Sequence, residues 1–261
     1  MLKKRESARL TSFLLGRKCV FCGSYRLWRT GRGYLKCRKC KRQKRHAMLK
    51  RELGVIVGFH QQIPALRLAH DLGVNYRTVE RVYRKLREIL YHVCELEGAR
   101  MSGEIEIDDA YFGGKRKGKR GRGARNKSVV LGLLERDSKV YTKIVYSLDA
   151  PALMDIIRQR TRKGSVYYTD AFRSYRSLKR FGKHLTVSHA RTFSRRGRKY
   201  RSHINGIEGF WSFAKHGLYQ YRGVSRSNFH LYLKEMEYRF NHRSDNLLKN
   251  FIQLYFGYIY T

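Results

Sequence analysis

Residues 104–112 read EIEIDDAYF, and their alternation decides the fold class. Side chains along a β-strand point to opposite faces in turn, so Glu104, Glu106 and Asp108 share one face and Ile105, Ile107 and Asp109 the other. The apolar face needs a covering layer. The acidic face is out of character in a chain with 58 Lys plus Arg against 20 Asp plus Glu. Carboxylates placed together repel, and the repulsion falls when Mg²⁺ or Mn²⁺ binds between them. Asp108 is therefore the candidate ligand, while Glu104 and Glu106, nearer the strand's start, read as surface residues. Downstream, SVVLGLLER and KVYTKIVYS read as two strands joined at Asp137-Ser138-Lys139. PALMDIIRQRT then reads as a helix, SVYYTDAF as a strand, RSYRSLKRFG as a helix and HLTVSHA as a short strand. A helix from about Asn205 and a long amphipathic helix within SNFHLYLKEMEYRFNHR follow. Three sequential strands and then alternation of helix and strand predict an α/β fold, a mixed sheet covered by helices.

The formal charge of +38 narrows the partner class. Self-repulsion on that scale disfavours a compact chain unless a polyanion neutralises it, and nucleic acid gains further from counterion release. Residues 115–127, KRKGKRGRGARNK, form a Gly-and-basic loop suited to screening phosphates. The first residues, MLKKRESARLTSFLLGRK, lack a sustained apolar segment with a cleavage site, and no stretch reaches the length of a membrane span. No membrane partner is the expectation.

Two modules precede the acidic strand. Residues 19–45 hold two CxxC pairs, Cys19/Cys22 and Cys37/Cys40, on either side of a hairpin-like stretch with a turn at Thr30-Gly31-Arg32-Gly33. Four thiolates in two tight pairs suit one tetrahedral structural Zn²⁺, whose binding folds a module too small for its own core. Residues 63–90, IPALRLAHDLGVNYRTVERVYRKLREIL, show two helical periods separated by Gly73, with Asn75 as an N-cap. The spacing of Ala69, Gly73 and Val79 fits a helix-turn-helix. Its second helix would present Asn75, Tyr76, Arg77, Thr78 and Arg81 to DNA. A two-helix linker with a solvated basic face is the alternative. The expected boundaries are 1–46 for the zinc ribbon, 47–98 for the helix-turn-helix region and 99–261 for the α/β domain.

Two further acids carry chemistry. Asp170 ends the strand SVYYTD, and strand carboxyl ends are where ligand sites gather in open α/β sheets. Glu208 shares a helical face with Trp211, Ser212 and Lys215, which places a ligand and a phosphate contact along one groove. Asn205 followed by Glu208 also fits a capping box, with Asn205 as N-cap and Glu208 reaching back, and both readings stay open. His184, His189, His203 and His216 read as phosphate or structural contacts, because a hard cation prefers oxygen.

The segments IEIDDAYFGG, VYYTDAFRSY, HINGIEGFWSFAKHGL and YLKEMEYRFNHR, in this order, resemble the signature blocks of insertion-sequence transposases with an ISXO-type DDE domain, the insertion-sequence family numbered fifteen ninety-five. The resemblance spans about residues 101–245, and an N-terminal zinc ribbon is typical of that family. It implies a ribonuclease-H-like core and a metal triad of Asp108, Asp170 and Glu208, with Asn205 as an alternative third ligand. It also implies two Mg²⁺ (or Mn²⁺) ions and Lys215 as a catalytic lysine on a phosphate near the scissile bond. Trp211 would stack on an unpaired terminal base or belong to the core. The implied function is that of an insertion-sequence DNA transposase, which binds terminal inverted repeats and cleaves and joins strands. Its partners would be double-stranded DNA at element ends and target, and further copies of itself in a homodimer or higher synaptic complex. The resemblance also implies a cytoplasmic, nucleoid-associated prokaryotic protein. The alternative is a catalytically inactive, transposase-derived DNA-binding protein. A zinc-ribbon RNA-binding protein would leave the acidic strand face unexplained.

Overall fold

A computed structural model describes residues 18–98, 100–113, 128–187, 203–221 and 223–258, so the basic loop at 115–127 and His189 lie outside the described residues. The chain divides into two compact units, one of residues 1–90 with 242–261 and the other of residues 91–241.

In the first unit, three short antiparallel strands, β1 (Leu27–Arg29), β2 (Tyr34–Cys37) and β3 (Gln43–Arg45), form the ribbon. Helices α1 (His46–His60), α2 (Ala65–Leu72) and α3 (Tyr76–Glu97) follow, α3 counting in this unit as far as Leu90. Gly73 ends α2 in the left-handed region (φ 61°), where a side chain would be strained, and its N–H closes the last turn. Two residues on, the Asn75 side-chain oxygen accepts the Arg77 backbone N–H at 2.8 Å, the N-cap read from the sequence. Leu68 and Ala69 of α2 and Val79, Val82, Tyr83 and Leu86 of α3 are buried; Leu66, grouped with them by periodicity, is exposed.

The last helix, α7 (Leu247–Tyr258), belongs to this same unit. Phe251 meets Phe59 of α1 edge to face at 5.3 Å, and Phe256 meets Phe21 of the ribbon at 6.1 Å. The expected 99–261 domain therefore differs from the observed unit, which ends at Asn241, because apolar residues of the chain's end find their core among the N-terminal helices.

The second unit is built on a five-stranded sheet of β4 (Glu104–Phe112), β5 (Ser128–Glu135), β6 (Val140–Val145), β7 (Val166–Thr169) and β8 (Lys183–Thr186). Its order is β6-β5-β4-β7-β8. β4, β5 and β6 form an antiparallel meander; β7 and β8 add in parallel on the other side of β4. A meander extended in parallel from its first strand, with helices on both faces, is the ribonuclease-H-like arrangement. One face packs Ile105, Ile107, Leu131, Leu133 and Tyr167 under α4 (Ala150–Arg160) and the 3₁₀ helix Arg173–Arg180, which takes the place of the expected α-helix. The other packs Ala110, Val130, Leu134 and Tyr168 under α5 (Asn205–Leu218) and α6 (Arg226–Asn241).

The β6 edge is closed by side chains of α6. Val140 N–H donates to Asn241 Oδ1 and Thr142 N–H to Glu237 Oε2, both at 2.8 Å, and the Asn241 amide returns a bond to the Val140 carbonyl. This gives the segment YLKEMEYRFNHR a physical role: its buried Glu237 and the following Asn241 satisfy backbone groups an exposed edge would present to other chains.

Candidate active site

The acidic strand splits into two devices. Glu106 is 1% exposed, contrary to the surface position expected of it. It accepts the Ile207 backbone N–H of α5 at 2.9 Å and the Arg136 Nε at 2.9 Å. Arg136 also pairs with Glu104, donates to the His203 carbonyl at 2.7 Å and stacks on the Tyr168 ring at 3.8 Å. A carboxylate against the first-turn N–H groups of a helix satisfies orphan donors and complements the helix dipole. The cap of α5 is therefore tertiary. Asn205 lies inside the helix, the N-cap residue is Ile204, and no side chain of that segment caps it, so the capping-box reading of Asn205 and Glu208 is corrected.

Two residues along β4, Asp108 is half-buried and its Oδ2 accepts the Trp211 indole N–H at 3.1 Å. The helix advances about 6 Å in four residues and the strand about 6.6 Å in two, so α5 keeps pace with β4 from Ile207/Glu106 to Trp211/Asp108. Gly132 lies opposite Asp108 in the β5 register and makes room for the indole. A Cβ there would fall 2.5 Å from Trp211 Cζ2 and 2.8 Å from Ile207 Cδ1. Trp211 is 4% exposed and packs on Phe210 and Phe112, so the stacking role on an unpaired base is corrected to a core role with a polar contact to Asp108.

The parallel register ends at Glu106 with Tyr168; Asp108 lies two residues further along β4, Asp170 just past the end of β7, and their charges act on each other. Burial, the neighbouring Asp109 carboxylate and then Asp170 push the Asp108 carboxyl up to about 6, against the opposing Trp211 N–H. Asp170 Oδ1 accepts the Phe172 backbone N–H at 3.0 Å, which fixes the turn leaving β7. Glu208 stands exposed on the first turn of α5, at the flank of the buried arc that includes Trp211. Lys215, also exposed, follows on that flank with its Nζ 6.0 Å from the Phe112 ring. Asp108 lies on β4 against α5, Asp170 just past the end of β7 and Glu208 on the first turn of α5. Among the described residues, however, only the four cysteines bring three or more metal-ligating atoms within 4.8 Å of one another. His184 Nε2 bonds Thr169 Oγ1 at 2.8 Å, and His203 Nδ1 lies 3.4 Å from Glu106, both structural contacts.

The cysteine cluster is compact. Cys19 Sγ lies 3.7 Å from Cys40 Sγ, and Cys22 Sγ 3.7 Å from Cys37 Sγ. Four thiolates about 2.3 Å from a tetrahedral zinc ion stand about 3.8 Å apart, so these residues fit the ion. Burial disfavours the Cys37 thiolate, but the backbone N–H groups of Cys40 and Lys39 outweigh it and hold the thiol down to about 6. In the helix-turn-helix region, Asn75, Tyr76, Arg77 and Arg81 are exposed and Thr78 is half-buried.

A ribonuclease-H-like sheet with Asp108 midway along β4 and Asp170 just past the end of the neighbouring parallel β7 defines a class of α/β domains, and comparison with known proteins narrows it. The chain belongs to the family of the ISXO2-like transposase domain, whose model matches residues 100–241, more than half of its length. A protein of Haemophilus influenzae described as an uncharacterized transposase-like protein is 40% identical over 105 residues, 40% of this chain and 81% of that protein. Among solved structures, a pre-cleavage Mos1 transpososome is 10% identical over 77% of each chain with a TM-score of 0.26. The Mos1 strand transfer complex is 13% identical over 73% of this chain and 76% of that one, also at 0.26. No helix among the described residues is long and apolar enough to cross a membrane.

Proposed function

We propose that the chain is an insertion-sequence DNA transposase that binds terminal inverted repeats and carries out metal-dependent strand cleavage and strand transfer, with Asp108, Asp170 and Glu208 as metal ligands. The observation that carries the proposal is that half-buried Asp108, on the strand paired in parallel with β7, has its carboxyl pushed up to about 6 by burial, by Asp109 and then by Asp170 at the end of β7. A half-buried carboxylate with two others near it is a donor set suited to a hard divalent cation, and Glu208 and Lys215 are both exposed on α5. Mg²⁺ or Mn²⁺, two ions in the full site, would there polarise a phosphoryl oxygen and lower the pKa of bound water.

The chain's own groups do the rest. Trp211 orients Asp108 through its Oδ2. The Phe172 N–H orients Asp170. Glu208 supplies a third carboxylate from the helix that Glu106 caps, and Asn205, one turn earlier and exposed, is the alternative third ligand. Lys215 supplies positive charge to a phosphate along the same flank. Asn75, Tyr76, Arg77, Thr78 and Arg81 form the DNA-reading end of α3, with the Asn75 oxygen already engaged as a cap. A homodimer or larger synaptic assembly follows from the need to hold two element ends. Retention of all three acids favours this reading over a catalytically inactive descendant. Replacing Asp108 or Asp170 with Ala should abolish Mg²⁺-dependent strand transfer and leave binding to element ends, and persisting transfer would overturn the assignment. Glu208→Gln should do the same. A folded but inactive Asn205→Ala would move the third ligand to Asn205.

A further inference from the structure

The ribbon sheet has two unlike faces. Leu27 and Leu35 lie on the inner one, where they line a small cavity with Phe21 and Leu49, and Lys44 on that side pairs with Glu52. Alternation and register put Trp28 opposite Lys36, Lys36 opposite Gln43, and Tyr34 opposite Arg45 on the outer face. Arg26 and Arg38 extend it, joined by a backbone bond from Arg38 N–H to the Arg26 carbonyl. Trp28 is 44% exposed, whereas Trp211, the other tryptophan, is 4% exposed. Residues 18–51 contain no Asp or Glu, and no described residue forms an ion pair with Arg26, Lys36, Arg38 or Arg45. A solvent-facing indole set among uncompensated cations matches the chemistry of a base and its phosphates.

We propose that this outer face is a stacking platform for an unpaired base of single-stranded DNA, with Trp28 under the base and Arg26, Lys36 and Arg45 on the flanking phosphates. A ring on an open strand face meets the π-face of any unstacked base, whereas a duplex offers only edges and backbone to such a surface. The proposal rests on nucleic acid being the partner and is independent of the metal site.

The test uses the zinc-loaded full chain, an oligothymidylate of about a dozen nucleotides and a duplex of the same length, read by tryptophan emission and by binding at several salt concentrations. The single strand should quench the wild-type protein, and the quench should vanish in Trp28→Phe while affinity is largely kept. Trp28→Ala should weaken single-strand binding about fivefold to a hundredfold at an unchanged salt slope. Lys36→Ala should instead make that slope shallower by about 0.7. Absence of quench, equal quench in Trp28→Phe, or quench by duplex alone would overturn the platform. An Asp108→Ala protein should quench like wild type. Strand transfer by wild type without any Trp28 signal would therefore refute this proposal and leave the catalytic one standing.

Discussion

Gly132→Ala gives the sharpest test of how the candidate site is built. The added methyl would sit 2.5 Å from Trp211 Cζ2, 2.9 Å from Trp211 Cη2 and 2.8 Å from Ile207 Cδ1, and all three neighbours belong to buried side chains. None is the free end of a surface chain, so the helix must lift or the ring must turn. Overpacking of this kind costs about 1–3 kcal/mol, enough to lower the melting temperature by roughly 3–10 °C in a domain of this size. The displaced indole should also release Asp108, so Mn²⁺ binding measured by calorimetry should weaken along with stability. Trp211→Phe removes the far ring that carries Cζ2 and Cη2. Taken alone it should destabilise by about 1–2 kcal/mol through lost packing and a lost N–H donor. Combined with Gly132→Ala, it should cost less than the sum of the single variants, because most of the clash is gone. Additive effects, or a Gly132→Ala protein as stable as wild type, would refute the indole-over-glycine geometry.

Glu106→Ala should destabilise the second unit by about 1–3 kcal/mol in urea melts, since it removes one of the two carboxylate partners of Arg136 and the acceptor of the buried Ile207 N–H; a loss below about 1 kcal/mol would mean the tertiary cap contributes little. Asp108 has a carboxyl pKa raised from 3.8 to about 6, so the native state holds that proton more tightly than the unfolded chain. Its contribution to stability is present at low pH and is lost as pH rises through about 6. Asp108→Asn should flatten that part of the stability–pH curve, and wild-type Mn²⁺ affinity should climb to about pH 6 and then level. Cys37→Ser with Cys40→Ser should remove bound zinc and end-specific DNA binding, while circular dichroism still reports a folded α/β unit. Collapse of both units would show that the ribbon supports more than itself.

The local periodicities were enough for much of this. Period-two alternation in EIEIDDAYF placed Asp108 on a strand face, and the cysteine spacing brought four sulfur atoms together, because both depend on contacts within a few residues or on fixed ligand chemistry. Asn75 was legible as a cap for the same reason. The start of the Glu208 helix near Asn205 was legible, but what caps it was not. Asn205 with Glu208 has the spacing of a capping box, but a buried carboxylate from β4, 101 residues upstream of Ile207, takes the N–H instead. A sequence contains the Asn-to-Glu spacing and holds no record of which strand arrives first.

What the sequence determined by itself is the mixed α/β class, the metal-ligating cysteines and the resemblance that joins Asp108, Asp170 and Glu208. Tertiary structure alone decided that Glu106 is a buried cap, that Trp211 serves Asp108, that Gly132 must remain small, and that α7 packs with the N-terminal helices. The physical reason is range. Alternation and ligand spacing are set by backbone geometry over a few residues, whereas these four facts depend on which surfaces exclude water from each other. That choice is made by the whole chain as it packs.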